Sequence, residues 1–142
     1  MTTVRHLLER KGRALHTIEP EDPVLEAIRK MAEHHVGALL VMRGESLVGI
    51  ISERDYARKV ILLGRSSAET PVWQIMSTPV ITVGLSSTAQ ECMRLVTERR
   101  IRHLPVLDGP RVIGMISIGD LVKAVIEDQQ QTIEQLESYI RS

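Results

Sequence analysis

The chain has no phenylalanine, only three aromatic residues (Tyr56, Trp73 and Tyr139) and a single cysteine among its 142 residues. So few aromatics argue against a base-stacking, single-strand-binding surface, and they require an aliphatic core. One cysteine excludes an internal disulfide and fits a reducing compartment. Neither sign of charge dominates: 18 basic residues balance 18 acidic ones. That balance argues against nucleic-acid or membrane binding driven by bulk charge. No stretch reaches the roughly 18 apolar residues of a membrane span. The start, Met1-Thr2-Thr3-Val4-Arg5-His6, lacks the pattern of a secretory leader. A cytoplasmic location is therefore expected. What is present, 43% hydrophobic and 25% charged residues, is the composition of a soluble globular protein.

The chain repeats itself. Residues 17–60, shifted by 65 positions, align without a gap with 82–125. Identical pairs include Thr17/Thr82, Glu26/Glu91, Leu39/Leu104, Val41/Val106, Gly49/Gly114, Ser52/Ser117 and Asp55/Asp120. A unit of 44 residues is too short to bury a convincing core alone, so two units are expected to form one domain. Val24, Ala27, Ile28 and Met31 fall at helical spacing, and Ala89, Cys92, Met93 and Val96 repeat the pattern. Asp22-Pro23 reads as the start of the first of these helices, with Asp22 as cap. Ser87-Thr88-Ala89-Gln90 reads as a capping box for the second. Two apolar runs around Arg43-Gly44-Glu45-Ser46 read as a hairpin, and so do the runs around Asp108-Gly109-Pro110-Arg111. Short first strands are expected at Leu15–Ile18 and Val80–Val83. A further helix is expected from Asp55 to Leu63, stopped at Gly64.

The predicted order is strand, helix, strand, strand, helix, twice: an α/β (α+β) fold of two β-α-β-β-α units. The boundaries expected are 1–64 for the first repeat with its N-terminal segment, 65–79 for a linker, 80–126 for the second repeat and 127–142 for an extended C-terminal helix. Ile133, Leu136 and Ile140 sit three and four apart in that extension. It is either a solvated tail or a helix that packs on a partner subunit.

The strongest local signal is Gly49-Ile50-Ile51-Ser52-Glu53-Arg54-Asp55 and its copy Gly114-Met115-Ile116-Ser117-Ile118-Gly119-Asp120. In each, a strand gives way to a helix within a few residues. A helix N-terminus suits a phosphate, a serine hydroxyl can bond a phosphate or sugar oxygen, and a carboxylate can accept both hydroxyls of a ribose. Ser-x-x-Asp is also a helix-capping pattern in its own right, so both readings stand.

With Ile101-Arg102-His103-Leu104-Pro105-Val106 and the segment Ile75-Met76-Ser77-Thr78-Pro79-Val80-Ile81-Thr82-Val83, these motifs resemble a tandem pair of CBS domains, the Bateman module. The resemblance runs from about Val4 to Ile126. Val4-Arg5-His6-Leu7-Leu8 echoes Val72-Trp73-Gln74-Ile75-Met76, as in paired modules. No catalytic segment is attached, so the chain resembles a stand-alone pair. The resemblance implies two repeats packed sheet to sheet about a pseudo-two-fold, with clefts for adenosine-containing ligands: AMP, ADP, ATP, NAD(H) or S-adenosylmethionine. It implies no catalytic cofactor. A homodimer paired through the helices is expected from the apolar helix faces of each short unit and the extra helix to Ile140. Carried over, one nucleotide-binding set is His16, Thr17, Gly37, Ala38, Ser52, Arg54 and Asp55. The other is Ile81, Thr82, Arg102, His103, Ser117 and Asp120. Gly119 stands where the first set has Arg54, so the two are expected to differ.

Other candidates have plainer readings. Cys92 sits at the buried helical position that Ala27 fills in the first repeat, which suits core packing. His34 and His35 are neighbours, and neighbours on a helix diverge too far for a metal pair. Three functions remain: an adenine-nucleotide sensor, a structural dimerisation module without a physiological nucleotide, and an enzyme. The last lacks any nucleophile–base set or metal cluster in the sequence.

Overall fold

The computed structural model describes residues 1–141. The chain divides into two compact units: Ala14–Ile81, and residues 1–13 together with those from Thr82 onward. The N-terminal helix α1 (Val4–Lys11) therefore clusters with the second repeat rather than the first.

In the unit Ala14–Ile81, β1 (Thr17–Ile18), β2 (Ala38–Arg43) and β3 (Ser46–Ser52) form one sheet in that order. β1 pairs parallel to β2, and β2 antiparallel to β3. Helix α2 (Val24–His34) turns Val24, Ala27 and Met31 inward. They join Ile18, Leu39, Val41, Ile51, Val60, Val72 and Ile75 in a wholly aliphatic core, as the absence of phenylalanine requires. Asp22 is not the cap. Pro23 holds the N-cap position without a side-chain bond, the Val24 amide donates to the Thr70 carbonyl, and the Asp22 carboxylate instead takes the Glu19 amide. Helix α3 begins earlier than expected, at Glu53–Tyr56, and then widens into a π-helical turn over Ala57–Ile61. The chain leaves through Gly64 at φ 66°, the left-handed stop that the sequence announced.

The other unit repeats this plan. Helix α4 (Ala89–Arg99) precedes the hairpin of β4 (His103–Asp108) and β5 (Arg111–Ser117). The capping box lies one residue on from the expected Ser87: Thr88 is the cap and Glu91 closes the box. The hairpin register copies that of the first repeat. Ala38 faces Ser52 as His103 faces Ser117, and each hairpin has one irregularity, between Val41 and Met42 or between Val106 and Leu107. Gly44 and Gly109 take the left-handed first position of each two-residue turn, at φ 62° and 60°. Helix α5 (Ile118–Arg141) then runs for 24 residues.

The second first-strand shrinks to a single parallel bridge, Val83 to Val106. In the first repeat the Leu40 amide donates to the His16 carbonyl at 3.0 Å. Pro105 stands where Leu40 stands and has no N–H. The bond has no counterpart, and the ladder ends at Val83, whose amide donates to the Pro105 carbonyl at 3.0 Å.

Both central helices end on a non-glycine residue in the left-handed region: His35 and Arg100, each at φ 54°.

Candidate functional site

Each motif strand is held by the segment that precedes the other repeat. A Cβ on Gly49 would lie 2.5 Å from Met76 Sδ and 3.2 Å from its Cβ. A Cβ on Gly114 would lie 2.7 Å from Leu8 Cδ2. Glycine is needed at both because a neighbouring side chain lies directly on the strand. The Val4–Leu8 echo of Val72–Met76 is thus a structural equivalence: Leu8 does in one unit what Met76 does in the other.

In the first repeat, Ser52 caps α3 and Asp55 returns the bond. The Asp55 amide donates to Ser52 Oγ at 3.1 Å, and Asp55 Oδ2 accepts from the Ser52 amide at 3.0 Å and from Ser52 Oγ at 3.0 Å. Asp55 Oδ1 is also engaged, by Ser77 Oγ at 3.1 Å and Lys59 Nζ at 3.2 Å. The residue is 8% exposed. Gly37 is close by, since its carbonyl accepts from the Glu53 amide at 3.0 Å, and Ala38 faces Ser52 across the hairpin. Thr17 opens β1 opposite Leu40, and its carbonyl accepts from Lys30 Nζ at 2.8 Å. The His16 ring stacks on His34 with centroids 4.3 Å apart. Arg54 is on the exposed side of α3.

In the second repeat the same capping exchange links Ser117 and Asp120. The Asp120 amide donates to Ser117 Oγ at 3.2 Å, and Asp120 Oδ2 accepts from the Ser117 amide at 2.8 Å. That same oxygen takes Lys11 Nζ at 2.6 Å, and Lys11 also donates to the Met115 carbonyl at 2.8 Å. The hydrogen bonds resolved on Asp120 thus fall on Oδ2, leaving Oδ1 on the half-buried side chain. Partial burial pulls the Asp120 carboxyl upward. The Lys11 ammonium and the Ser117 amide and hydroxyl outweigh it and hold the group below its ordinary value of 3.8. His103 faces Ser117 across the hairpin, and the Arg102 carbonyl accepts from the Ile118 amide at 2.8 Å. Ile81 and Thr82 lie just before the Val83 bridge.

The geometry therefore brings together Gly37, Ala38, Ser52 and Asp55 in one unit, and Arg102, His103, Ser117 and Asp120 in the other. Sequence reasoning missed Lys59, Ser77 and Lys11, which occupy the carboxylates. Lys59 could have been found, being four residues beyond Asp55 on the same helical face. Lys11 lies 109 residues from Asp120 and carries no local signal. Cys92 is buried, and burial first and the Glu91 charge second push its thiol up to about 11, as suits a core residue. Among the described residues no group of three metal-ligating side chains occurs, and no helix is long and apolar enough to cross a membrane.

The CBS domain family matches residues 4–61 and 72–127. The mitochondrial CBS domain-containing protein CBSX3 of Arabidopsis thaliana is 40% identical, over 99% of this chain and 72% of its own length. The CBS domain-containing protein YhcV of Bacillus subtilis is 31% identical, over 74% of each chain. The solved structure of a CBS-domain protein from Burkholderia ambifaria superposes with a TM-score of 0.86 at 53% identity, covering 90% of this chain and 96% of that one. The CBS domain pair of protein MJ0100, solved with 5-methylthioadenosine and S-adenosylmethionine, shares the fold at a TM-score of 0.80 and 22% identity, covering 90% and 98%. Two motif strands at the same register, each ending in a reciprocal Ser–Asp cap, match what these comparisons find: the chain belongs to the CBS domain family, as a tandem pair.

Proposed function

We propose that the chain is a non-catalytic cytoplasmic sensor of an adenosine-containing ligand (AMP, ADP, ATP, NAD(H) or a similar molecule), that it works as a homodimer, and that binding changes its shape or assembly. The observation that carries this reading is the state of the two motif carboxylates. Helix capping uses one carboxylate oxygen in each repeat. In the first, Ser77 and Lys59 hold the other. In the second, capping and Lys11 share Oδ2 and leave Oδ1 for a ligand hydroxyl. Asp120 is held ionised, as an acceptor for a ribose diol must be.

The helix beginnings differ in the same sense. α5 is a 24-residue helix whose dipole favours an anion, whereas α3 is four residues long before it widens. Arg102 and His103 beside Ser117 add a cation and an imidazole. Asp120, Ser117, Arg102 and His103, with Ile81 and Thr82, are therefore the primary nucleotide set. Asp55, Ser52, Arg54, Gly37, Ala38, His16 and Thr17 form the secondary one. A CBS pair of the same fold holding two adenosyl compounds supports the ligand class. The alternative, a dimerisation module whose motifs only cap helices, is favoured by the complete capping in both repeats.

Titration calorimetry with AMP, ADP, ATP, NAD, NADH and S-adenosylmethionine separates the two. The sensor reading expects one of them to bind and Asp120→Ala to weaken it. Charged hydrogen bonds contribute about 1.5–3 kcal/mol each, so the loss is ten-fold or more. Binding of none, or unchanged binding by both Asp120→Ala and Asp55→Ala, overturns the assignment. Solution scattering with and without saturating ligand tests the change of shape.

A further inference from the structure

Beyond Ala124, helix α5 has no buried residue, yet it remains apolar along one line. Val122, Ile126, Gln129, Ile133, Leu136 and Ile140 follow one another at steps of four, three, four, three and four. That is an unbroken heptad seam with Ile126, Ile133 and Ile140 at a and Val122, Gln129 and Leu136 at d. All six are exposed. A solvated tail has no reason to keep five aliphatic residues in heptad register.

We infer that α5 pairs with α5 of a second copy of this chain as an antiparallel two-helix coiled coil spanning residues 122–140. This rests on the dimer part of the proposed function and is independent of its ligand. The seam complements itself when reversed. With residue i opposite 262 minus i, each a position meets a d position: Ile126 with Leu136, Gln129 with Ile133, and Ile140 with Val122, every pair made twice about a two-fold axis.

The flanking residues choose the direction. In a parallel pair, each g position faces the e position five residues on: Ile118, Val125 and Thr132 would face Lys123, Gln130 and Glu137, and neither charge would find a counter-ion. In the antiparallel pair, e faces e and g faces g. Lys123 then meets Glu137 of the second copy, twice, and Val125 meets Tyr139, twice. The antiparallel pairing also places Gln129 against Ile133, where the parallel one would stack two glutamines in the seam. The seam is about 27 Å long at about 1.5 Å per residue. Isolated helices of that length are marginal. Here the first turns are already fixed, because Leu121 and Ala124 are buried in their own unit, so the helix is nucleated before it pairs.

The test uses the full chain. Sedimentation at high micromolar concentration is expected to give a dimer mass for the wild type and a monomer mass for Ile133→Glu/Leu136→Glu, which alters only exposed side chains. Unchanged far-ultraviolet dichroism and melting of the variant's core confirm that it still folds. Lys123→Glu is expected to weaken the dimer several-fold, and Lys123→Glu/Glu137→Lys to restore it. In a Cys92→Ala background, a Val122→Cys chain mixed with an Ile140→Cys chain is expected to form the mixed disulfide. Self-linking of Gln129→Cys or Ile140→Cys in preference to that product indicates a parallel pair and overturns the proposal. If Ile133→Glu/Leu136→Glu stays dimeric, the proposal fails but the dimer stands on another surface. If the wild type is a monomer, the dimer reading and the proposal fail together, and the ligand assignment is untouched.

Discussion

Two carboxylates at equivalent positions of one repeated motif live in different circumstances. Asp55 is buried, with both oxygens bonded by groups of its own unit. Asp120 is more open, and its resolved bonds crowd onto one oxygen. The motif dictates the cap in both places. What surrounds the cap decides whether a carboxylate is left for anything else. Repetition of a motif therefore does not repeat its surroundings: both copies hold a helix in place, but only in the first do bonds from Ser77 and Lys59 engage the second carboxylate oxygen.

The sharpest way to break this contrast is to remove each carboxylate. Asp120→Ala is expected to lower ligand affinity ten-fold or more and stability little. Asp55→Ala is expected to do the reverse, because it strands Ser77 and Lys59 beside a vacated position. Calorimetric titration and urea unfolding of both variants read the two effects. Equal losses of affinity would restore the symmetry that the sequence suggests.

The motif glycines sharpen the comparison next. An alanine at Gly49 meets the Met76 Sδ and also crowds its Cβ, which cannot swing away. At Gly114 it meets both Leu8 methyls, at 2.7 and 3.1 Å, but clears the rest of that side chain. Gly49→Ala is expected to destabilise by about 1–3 kcal/mol, the range for overpacked cores, and Gly114→Ala by less. Denaturation midpoints of the two variants check the order.

Lys11→Met has a smaller effect. The Lys11–Asp120 pair is partly exposed, at 39% and 27% of the two side chains, so its removal is expected to cost at most about 1 kcal/mol. Asp120 is depressed below 3.8 when folded. Its contribution is therefore present above that value and fades as pH falls below it. In Lys11→Met the part of acid destabilisation due to this pair is expected to disappear, as melting temperatures measured from pH 6 to pH 2 would show. The variant leaves Oδ2 only its bond from the Ser117 amide, so binding of uncharged adenosine should strengthen.

Much of the fold was legible because it rests on short-range pattern. Helical spacing placed α2 and α4, the turn glycines placed both hairpins, and the 65-residue shift tied them together. Where the reading slipped, a longer-range contact had intervened. Asp22 lost the cap because Thr70 already takes the Val24 amide. The second first-strand dwindled because Pro105, a good fit to the apolar pattern, offers no N–H. At the site, Ser52, Asp55, Ser117 and Asp120 were visible as a motif. Lys11 and Ser77 were not, since what they touch depends on how distant segments pack.

His35 and Arg100 close their helices in the left-handed region, where a side chain costs roughly 1–2 kcal/mol and glycine nothing comparable. The same conformation at both copies marks it as a requirement of the chain's path and not an accident of one loop. It is also an engineering handle. His35→Gly and Arg100→Gly should each raise the melting temperature slightly, the relief being offset in part by glycine's freedom in the unfolded chain. The fold thus carries an unused margin of heat resistance, reachable without touching a single residue of the motif strands.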